Sequence, residues 1–413
     1  MRDLWLKVVH TSGAQIYGLA TGLVLLSVTA RWLGPDGRGS VAAILGWVNL
    51  IASLGSLSLG QVALHRASQT DKRDWLGPTL ASLLFFATLV TLLGWGFVAL
   101  LFWLSEGEIF HNLSLLWLII GFLSMPFVIW GGYSFSLLVA LDKILLFNRY
   151  QYMGRTLSVA LALLLLMNFQ WGVAGALLAS LAGQVVAGLG GISLLLREAK
   201  GKLRLRKAET MKFFRDGLKL HLNAVGAYIY TSSDVLLLNY FSGPEQTGYY
   251  QLGVQLISIL TIPAGAVSTV MYSEIAKTNP NAAWPKHRKA LTLTMILMII
   301  AALCAGWSAP WWLTWVAGDR FGPTLELFRW QLLGVPGMTL SSVMAAQWIG
   351  RGLFWQAAIL TFGIGLFHLT ANLILIPEHG AYGAVASTLG VYFISLFGNT
   401  FMAIYCQYKA SKP

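Results

Sequence analysis

Charge is scarce in this chain. Only 11% of its 413 residues are Asp, Glu, Lys or Arg, against about 25% in an ordinary soluble domain, so a water-facing globular surface cannot be built from it. With 56% apolar residues and a mean hydropathy of +0.67, it reads as an integral membrane protein. Acids are scarcer than bases, 16 against 28. No nucleic-acid partner is expected, because the cations sit in short connections between apolar runs rather than on one folded face. Cysteine is nearly missing: Cys304 and Cys406 fall inside apolar runs and are expected unpaired. There is no Gly-x-x-x-x-Gly-Lys-Ser/Thr phosphate loop, zinc-protease motif or serine-nucleophile motif, so neither a nucleotide engine nor a hydrolase is legible. No cofactor is expected. No small-residue cleavage site follows the basic Met1 to Lys7 stretch before Arg31, so an uncleaved first span is expected.

What is plentiful is long apolar sequence. A helix needs roughly 20 apolar residues to cross the hydrocarbon. That length predicts twelve spans, at residues 8–30, 41–64, 78–104, 113–140, 152–169, 172–196, 220–241, 249–275, 290–315, 324–349, 353–375 and 381–405. The expected fold class is all-α integral membrane, with twelve transmembrane helices in two pseudo-symmetric six-helix bundles, 1–196 and 220–413, joined by a basic linker, 197–219. Only Gln170 and Trp171 separate the fifth and sixth spans, and Pro310 should kink the ninth.

The linker holds Arg197, Lys200, Lys202, Arg204, Arg206, Lys207, Lys212, Arg215 and Lys219, nine of the 28 cations. Cations at this density stay on the cytoplasmic side. With twelve spans, 24 of the 28 fall on the linker's side; Arg31, Arg38 and Arg320 fall on the other, and Arg329 lies inside the tenth span. Both termini are therefore expected in the cytoplasm. Met211, Phe214 and Leu218 recur at helical spacing while Lys212, Arg215 and Lys219 mark another face, which predicts a short amphipathic helix on the inner surface. A solvated charged loop is the competing reading.

The two halves repeat each other. Leu33-Gly34-Pro35-Asp36-Gly37-Arg38-Gly39 and Ser242-Gly243-Pro244-Glu245-Gln246-Thr247-Gly248 both carry Gly-Pro-acid-x-x-Gly, at an offset of 209. Gly172 to Ala176 and Gly380 to Ala384 match at 208. An even number of helices per copy makes the repeats parallel, the architecture of a transporter working by alternating access with its site between the halves. Gly-Pro before an acid is also turn chemistry, sufficient by itself to explain each corner. Gly175, Ala179, Gly183, Ala187 and Gly191, every fourth residue of the sixth span, read as a packing face.

The two Gly-Pro-acid-x-x-Gly turns, Tyr249-Tyr250 after the second, Asp234 before it, and Pro377-x-x-Gly380-x-x-Gly383-Ala384 resemble the multidrug/oligosaccharidyl-lipid/polysaccharide exporter superfamily over the whole chain. Within it the chain looks most similar to the polysaccharide branch. The resemblance implies a MATE-like fold in a bacterial inner membrane. It also implies a flippase for undecaprenyl-pyrophosphate-linked oligosaccharide in O-antigen or other surface polysaccharide assembly, with membrane lipid and glycan-assembly membrane proteins as company. The chain departs from the superfamily's lipid II flippases, which carry two further C-terminal helices, and this points away from a peptidoglycan precursor.

A pyrophosphate cannot cross hydrocarbon bare, and arginine forks can replace its water. Candidate substrate-binding cations are Arg31, Arg149, Arg155, Lys219 and, inside a span, Arg329. Snorkelling to inner headgroups competes for Arg149, Arg155 and Lys219. Pairing with outer headgroups or Asp36 competes for Arg31, and an interfacial anchor beside Arg320 and Trp330 competes for Arg329. Asp234 and Glu274 are candidate ion-coupling acids, for a proton or sodium gradient; an arginine partner is the plainer role for Asp234. His65, His221 and His368 are weaker candidates, and the tryptophans suit an interfacial belt. A drug or organic-cation antiporter of the same superfamily would need an acidic cavity. A membrane glycosyltransferase or polymerase would need larger external loops than Glu106 to Asn112 or Ser242 to Gly248.

Overall fold

The structure is a computed structural model that describes residues 2–68, 75–199, 203–278 and 280–410, with side chains from Tyr17 to Cys406 apart from 220, 222–224, 227, 273, 276, 277, 349 and 354. Of the cations used for topology, Lys72, Arg73, Lys200, Lys202 and Lys412, and the side chains of Arg2, Lys7, Lys277 and Lys409, lie outside the described residues. Helix is the regular structure throughout, and no strand occurs among the described residues. The helices are α1 (Arg2–Gly55), α2 (Leu59–Ser68), α3 (Leu76–Leu104), α4 (Leu115–Phe122), α5 (Met125–Ala140), α6 (Ile144–Leu163) and α7 (Gly172–Glu198). They continue with α8 (Lys207–Leu260), α9 (Ile262–Lys277), α10 (Pro280–Ala317), α11 (Thr324–Leu332), α12 (Val335–Gly350) and α13 (Phe354–Ala410).

Glycines make the corners, two of them at matching places in the halves. Gly34 (φ 69°, ψ −176°) divides α1 into two arms, and Gly243 (φ 82°, ψ 176°) does the same to α8. This backbone region is essentially closed to any residue with a Cβ. Each glycine is followed by a proline, whose fixed φ and missing N–H suit the first position of a new helix. Other left-handed positions also pair between the halves: Gly107 with Gly318, Asp142 with Gly352, and Gly172 with Gly380, at offsets of 208 to 211. The repeat read from two motifs thus extends to backbone conformation along the chain.

Seven helices among the described residues are long and apolar enough to cross a membrane, or eight when Tyr228–Leu260 and Ile262–Tyr272, bent by 44°, are taken as one. The chain is a multi-pass membrane protein. The expected twelve are not counted separately, for physical reasons. The helices α1, α8 and α13 run on through a glycine corner, at Gly34, Gly243 and Gly380, so each contains sequence expected to form two spans. The tenth expected span is broken into α11 and α12, of 9 and 16 residues, each shorter than a crossing.

The chain forms two compact units, Met1–Val225 and Gly226–Pro413, divided inside α8 six residues beyond the expected end of the linker. The first is built on a core that includes Ile44, Leu59, Leu80, Leu83, Met125 and Leu137. In the second, Met271, Ile275, Ala283 and Ala346 form one cluster, and Met344, Trp348 and Cys406 another. Cys304 and Cys406 are both free thiols.

The linker differs from expectation. Residues 203–206 have no regular structure and are exposed, and from Lys207 the chain is already α8, so no separate short helix forms. Met211 and Leu218 are exposed. The packed face is instead Thr210, Phe213, Phe214 and Gly217: Thr210 and Ser82 share a hydrogen bond of 2.8 Å, Phe214 stacks on Phe86, and Gly217 runs against the Leu57 carbonyl, where a Cβ would stand 2.6 Å from the oxygen. Helical spacing allowed either face, and contact with α2 and α3 of the first unit selects this one. Glu209, in the first turn of α8, accepts from Arg66 at 2.9 Å and from Arg206 at 2.8 Å. Arg206 above all, with Arg66, holds the Glu209 carboxyl below the usual carboxylate range.

Two outcomes follow from this packing. Gly243→Ala should destabilise by about 1–3 kcal/mol, although nothing lies within 4 Å of the added Cβ. Gly265→Ala, equally open but inside α9, should stabilise slightly, because alanine is the better helix former; equal thermal shifts for the two would refute the corner argument. For Glu209, a depressed folded value means a contribution present in full above the unfolded value of about 4.3 and lost as pH falls through the folded one. Glu209→Gln should therefore lower the thermal midpoint at pH 7, and the gap from the parent protein should close below about pH 4.

Candidate functional site

In the first unit, α6 and α7 approach until their backbones touch. A Cβ on Gly154 would lie 2.5 Å from the Gly183 carbonyl oxygen. The predicted small face of α7, Gly175, Ala179, Gly183, Ala187 and Gly191, is buried and makes this approach possible. Where α1 joins the pair, the three helices leave a cavity of about 420 Å³. Its polar lining is Thr21 from α1, Gln151, Arg155 and Ser158 from α6, and Ser180 and Gln184 from α7; among the described residues no Asp or Glu lines it. The Arg155 guanidinium lies over Gly18, where a Cβ would meet Nη1 at 2.5 Å. Among the described residues no carboxylate pairs with Arg155. Next to the lining residues Gly18 and Arg155, Tyr17 ties α1 to α6: it bonds Thr156 through its hydroxyl and meets the Tyr152 ring edge-on at 5.4 Å. One cation, two amides and three hydroxyls can bind an anion together with hydroxyl-bearing groups.

The second unit holds a buried polar network. Asp234, 6% exposed on the first arm of α8, accepts from the Val235 N–H at 2.8 Å and from the Tyr250 hydroxyl. Tyr250 comes from beyond the Gly243 corner, so that corner folds the second arm back beside the carboxylate. The Tyr250 hydroxyl reaches Thr388 at 3.0 Å, and Thr388 reaches His368 Nε2 at 3.4 Å. Alongside, Ser387 donates to Asn372, whose amide donates to Ser233 at 3.3 Å. No cluster of three or more His, Cys, Asp or Glu occurs among the described residues. The network therefore offers one carboxylate with hydroxyl and amide oxygens, a set that suits a proton or a hard monovalent cation.

The other sequence candidates stand apart from these two sites. Arg31 is exposed at the end of the first arm of α1, and Arg149 is exposed on α6 outside the cavity lining. Lys219 is exposed and pairs with Asp216 at 3.5 Å, and Glu274 is engaged by Lys286 at 2.9 Å. Arg329 is exposed in an apolar groove, its Nε donating to the Gly306 carbonyl at 3.1 Å. Of the histidines, His65 is exposed, whereas His221 is buried within reach of Ser58 at 3.3 Å.

Arg38 departs from the sequence reading. Counted there among the cations of a connection, it is 5% exposed, and its Nη1 donates to the Leu26 carbonyl at 3.1 Å and the Thr29 hydroxyl at 2.8 Å. It thus braces the two arms of α1 across the Gly34 corner. Its counterpart at offset 209 is Thr247, which bonds the Gly243 carbonyl at 2.9 Å. The signal was its position, one turn past a corner and so facing back across it.

Comparison with known proteins bears on both units. Residues 4–277 match the family described as polysaccharide biosynthesis protein. No curated protein matches the sequence. Among solved structures, the lipid II flippase MurJ in an inward closed conformation is similar at 16% identity and a TM-score of 0.78, covering 96% of this chain and 87% of that one. An inward-facing multidrug resistance MATE family transporter of the MOP superfamily matches at 16% identity and a TM-score of 0.73, with 95% and 96% covered. A MOP superfamily transporter from Pyrococcus furiosus, described as having a binding pocket of reversed polarity, matches at 16% identity and 0.65, with 96% and 95% covered. The chain therefore belongs to the polysaccharide biosynthesis protein family and has the fold of the multidrug/oligosaccharidyl-lipid/polysaccharide exporter superfamily.

Proposed function

We propose that this protein is a flippase that moves a polyprenyl-pyrophosphate-linked oligosaccharide across a bacterial inner membrane by alternating access, for surface polysaccharide assembly such as O-antigen. In this reading it crosses the membrane twelve times, as two six-helix bundles with both termini in the cytoplasm. The observation that carries the proposal is the cavity of the first unit, with Arg155 as the one charge among its described lining residues and amides and hydroxyls around it. A pyrophosphate oxygen on the guanidinium replaces water that hydrocarbon cannot supply, and Gln151 and Gln184 suit sugar hydroxyls. Lipid-linked glycan carries both chemistries on one molecule. A drug or organic-cation antiporter would need a carboxylate in that cavity, and none lines it among the described residues.

Coupling belongs, in the same proposal, to the Asp234 network. A buried carboxylate that gains and loses a proton or a sodium ion between conformations links cargo to a gradient. Glu274, tied to Lys286 near the end of α9, is the weaker placed of the two acids.

The tests separate the parts. Loss of the protein should leave lipid-linked repeat units on the cytoplasmic leaflet, and unaltered surface glycan would reject the assignment. Arg155→Gln should lower export about tenfold or more, the worth of one hydrogen-bonded charge, with Arg155→Lys in between; equal export by all three at equal membrane levels would remove Arg155 from the site. Asp234→Asn keeps the size of the side chain but not the charge. In proteoliposomes it should abolish the response to an imposed pH or sodium gradient while cargo still binds, and a preserved response would show that coupling lies elsewhere.

A further inference from the structure

Each unit carries a groove on its surface, and the two grooves are copies. In the first, of about 370 Å³ between α3 and α4, the wall includes Ile119, Phe122 and Leu123. In the second, of about 410 Å³ between α10 and α11, the wall includes Arg329, Leu332 and Leu333. These three positions correspond at a constant offset of 210, within the range of the paired backbone landmarks. Two of them stay apolar. The third changes from isoleucine to arginine, so a repeat that otherwise preserves an apolar groove has acquired one cation.

That cation is held in place. Its Nε donates to the Gly306 carbonyl, and because position 306 has no side chain the arginine stem lies flat against α10. One of five N–H donors is used in this way. Among the described residues no carboxylate pairs with Arg329, and Glu326, one turn earlier, accepts the Tyr382 hydroxyl at 2.7 Å. On α10, Trp307 and Trp311 meet edge-on at 4.8 Å, and both are exposed. Exposed indoles on a membrane helix settle at headgroup depth, and Arg329 shares its groove with Trp307.

We propose that the groove between α10 and α11 binds an anionic phospholipid of the surrounding bilayer, its phosphate on the Arg329 guanidinium and an acyl chain along the apolar wall. The matching groove between α3 and α4 takes an acyl chain without selecting a headgroup. Charge complementarity decides the occupant: a neutral lipid leaves the guanidinium without a counter-charge, and a phosphate oxygen fits its fork. The inference concerns the bilayer, not the cargo, and stands or falls independently of the transport reading.

The test is native mass spectrometry of the full chain released from micelles holding equal amounts of phosphatidylglycerol and phosphatidylcholine with identical acyl chains. The linker also attracts anionic lipid, so the readout is the difference between variants that share it. Arg329→Ile, which makes the second groove resemble the first, should lower the retained phosphatidylglycerol excess about fivefold, the factor one interfacial cation contributes. Arg329→Lys should keep most of the excess. Ile119→Arg alone should raise it, which keeps the proposal testable should Arg329→Ile fail to fold. An unchanged excess in Arg329→Ile, equal loss of both lipids, or no gain in Ile119→Arg would each overturn it.

Discussion

A backbone inside hydrocarbon must bond its own N–H and C=O groups, so it stays helical and turns only where a residue can reverse it without leaving those groups bare. Here that residue is glycine, at Gly34, Gly107 and Gly172 and again at Gly243, Gly318 and Gly380. The Asp234 network and the Arg38 brace inherit their geometry from two of these corners. Gly243 returns the chain so that Tyr250 meets Asp234, and Gly34 returns it so that Arg38 meets Leu26 and Thr29. Leu57 and Ser58, which take positive φ without being glycine, sit where the neighbours over-determine the turn: Tyr133 bonds the Ser56 carbonyl at 2.9 Å, and Gly217 lets α8 lie against Leu57.

Much of this was legible before any coordinate. Gly-Pro-acid-x-x-Gly states its own backbone need, because proline and glycine act locally, and both corners form where it stands. The small face of α7 was legible for the same reason, since an uninterrupted four-residue repeat has one geometric meaning. The linker shows where local reasoning stops. Met211, Phe214 and Leu218 share one helical face, Phe213 and Gly217 another, and only the shape of the partner decides; that shape is a pair of helices more than 100 residues earlier in the chain. The span count differs for another reason, because hydropathy measures length and composition but not whether a glycine corner lets one helix run into the next. The pairing of Asp234 with His368 through Tyr250 and Thr388 joins residues too far apart for any spacing rule.

Three arginines show how setting decides role. Arg38 is buried and turns its Nη1 to a carbonyl and a hydroxyl of its own helix, which makes it a brace. Arg155 opens onto a polar cavity with no acid among its described lining residues, a setting that favours an incoming anion. Arg329 lies among apolar side chains on an exposed surface, where the available anion is lipid. Counting cations in spans treats the three alike. What separates them is the chemistry within hydrogen-bond reach, and sequence reports that only when the partners are neighbours along the chain.

The Asp234 network carries one more consequence of counting protons. With the carboxylate ionised, the Tyr250 hydroxyl proton is committed to it, and the Thr388 hydroxyl donates to the Ala384 carbonyl at 2.8 Å. With the carboxylate protonated, its O–H can point at the Tyr250 oxygen. Tyr250 can then turn its proton to Thr388, and Thr388 can turn its own from Ala384 to His368 Nε2. Each hydroxyl has a single proton and more than one acceptor within reach. A change of charge at Asp234 can therefore be passed along α13 by reversing hydrogen bonds, without moving a heavy atom far. Such a chain needs every member: a residue without a hydroxyl at position 250 or 388 removes the hydrogen-bonded path between the carboxylate and the imidazole.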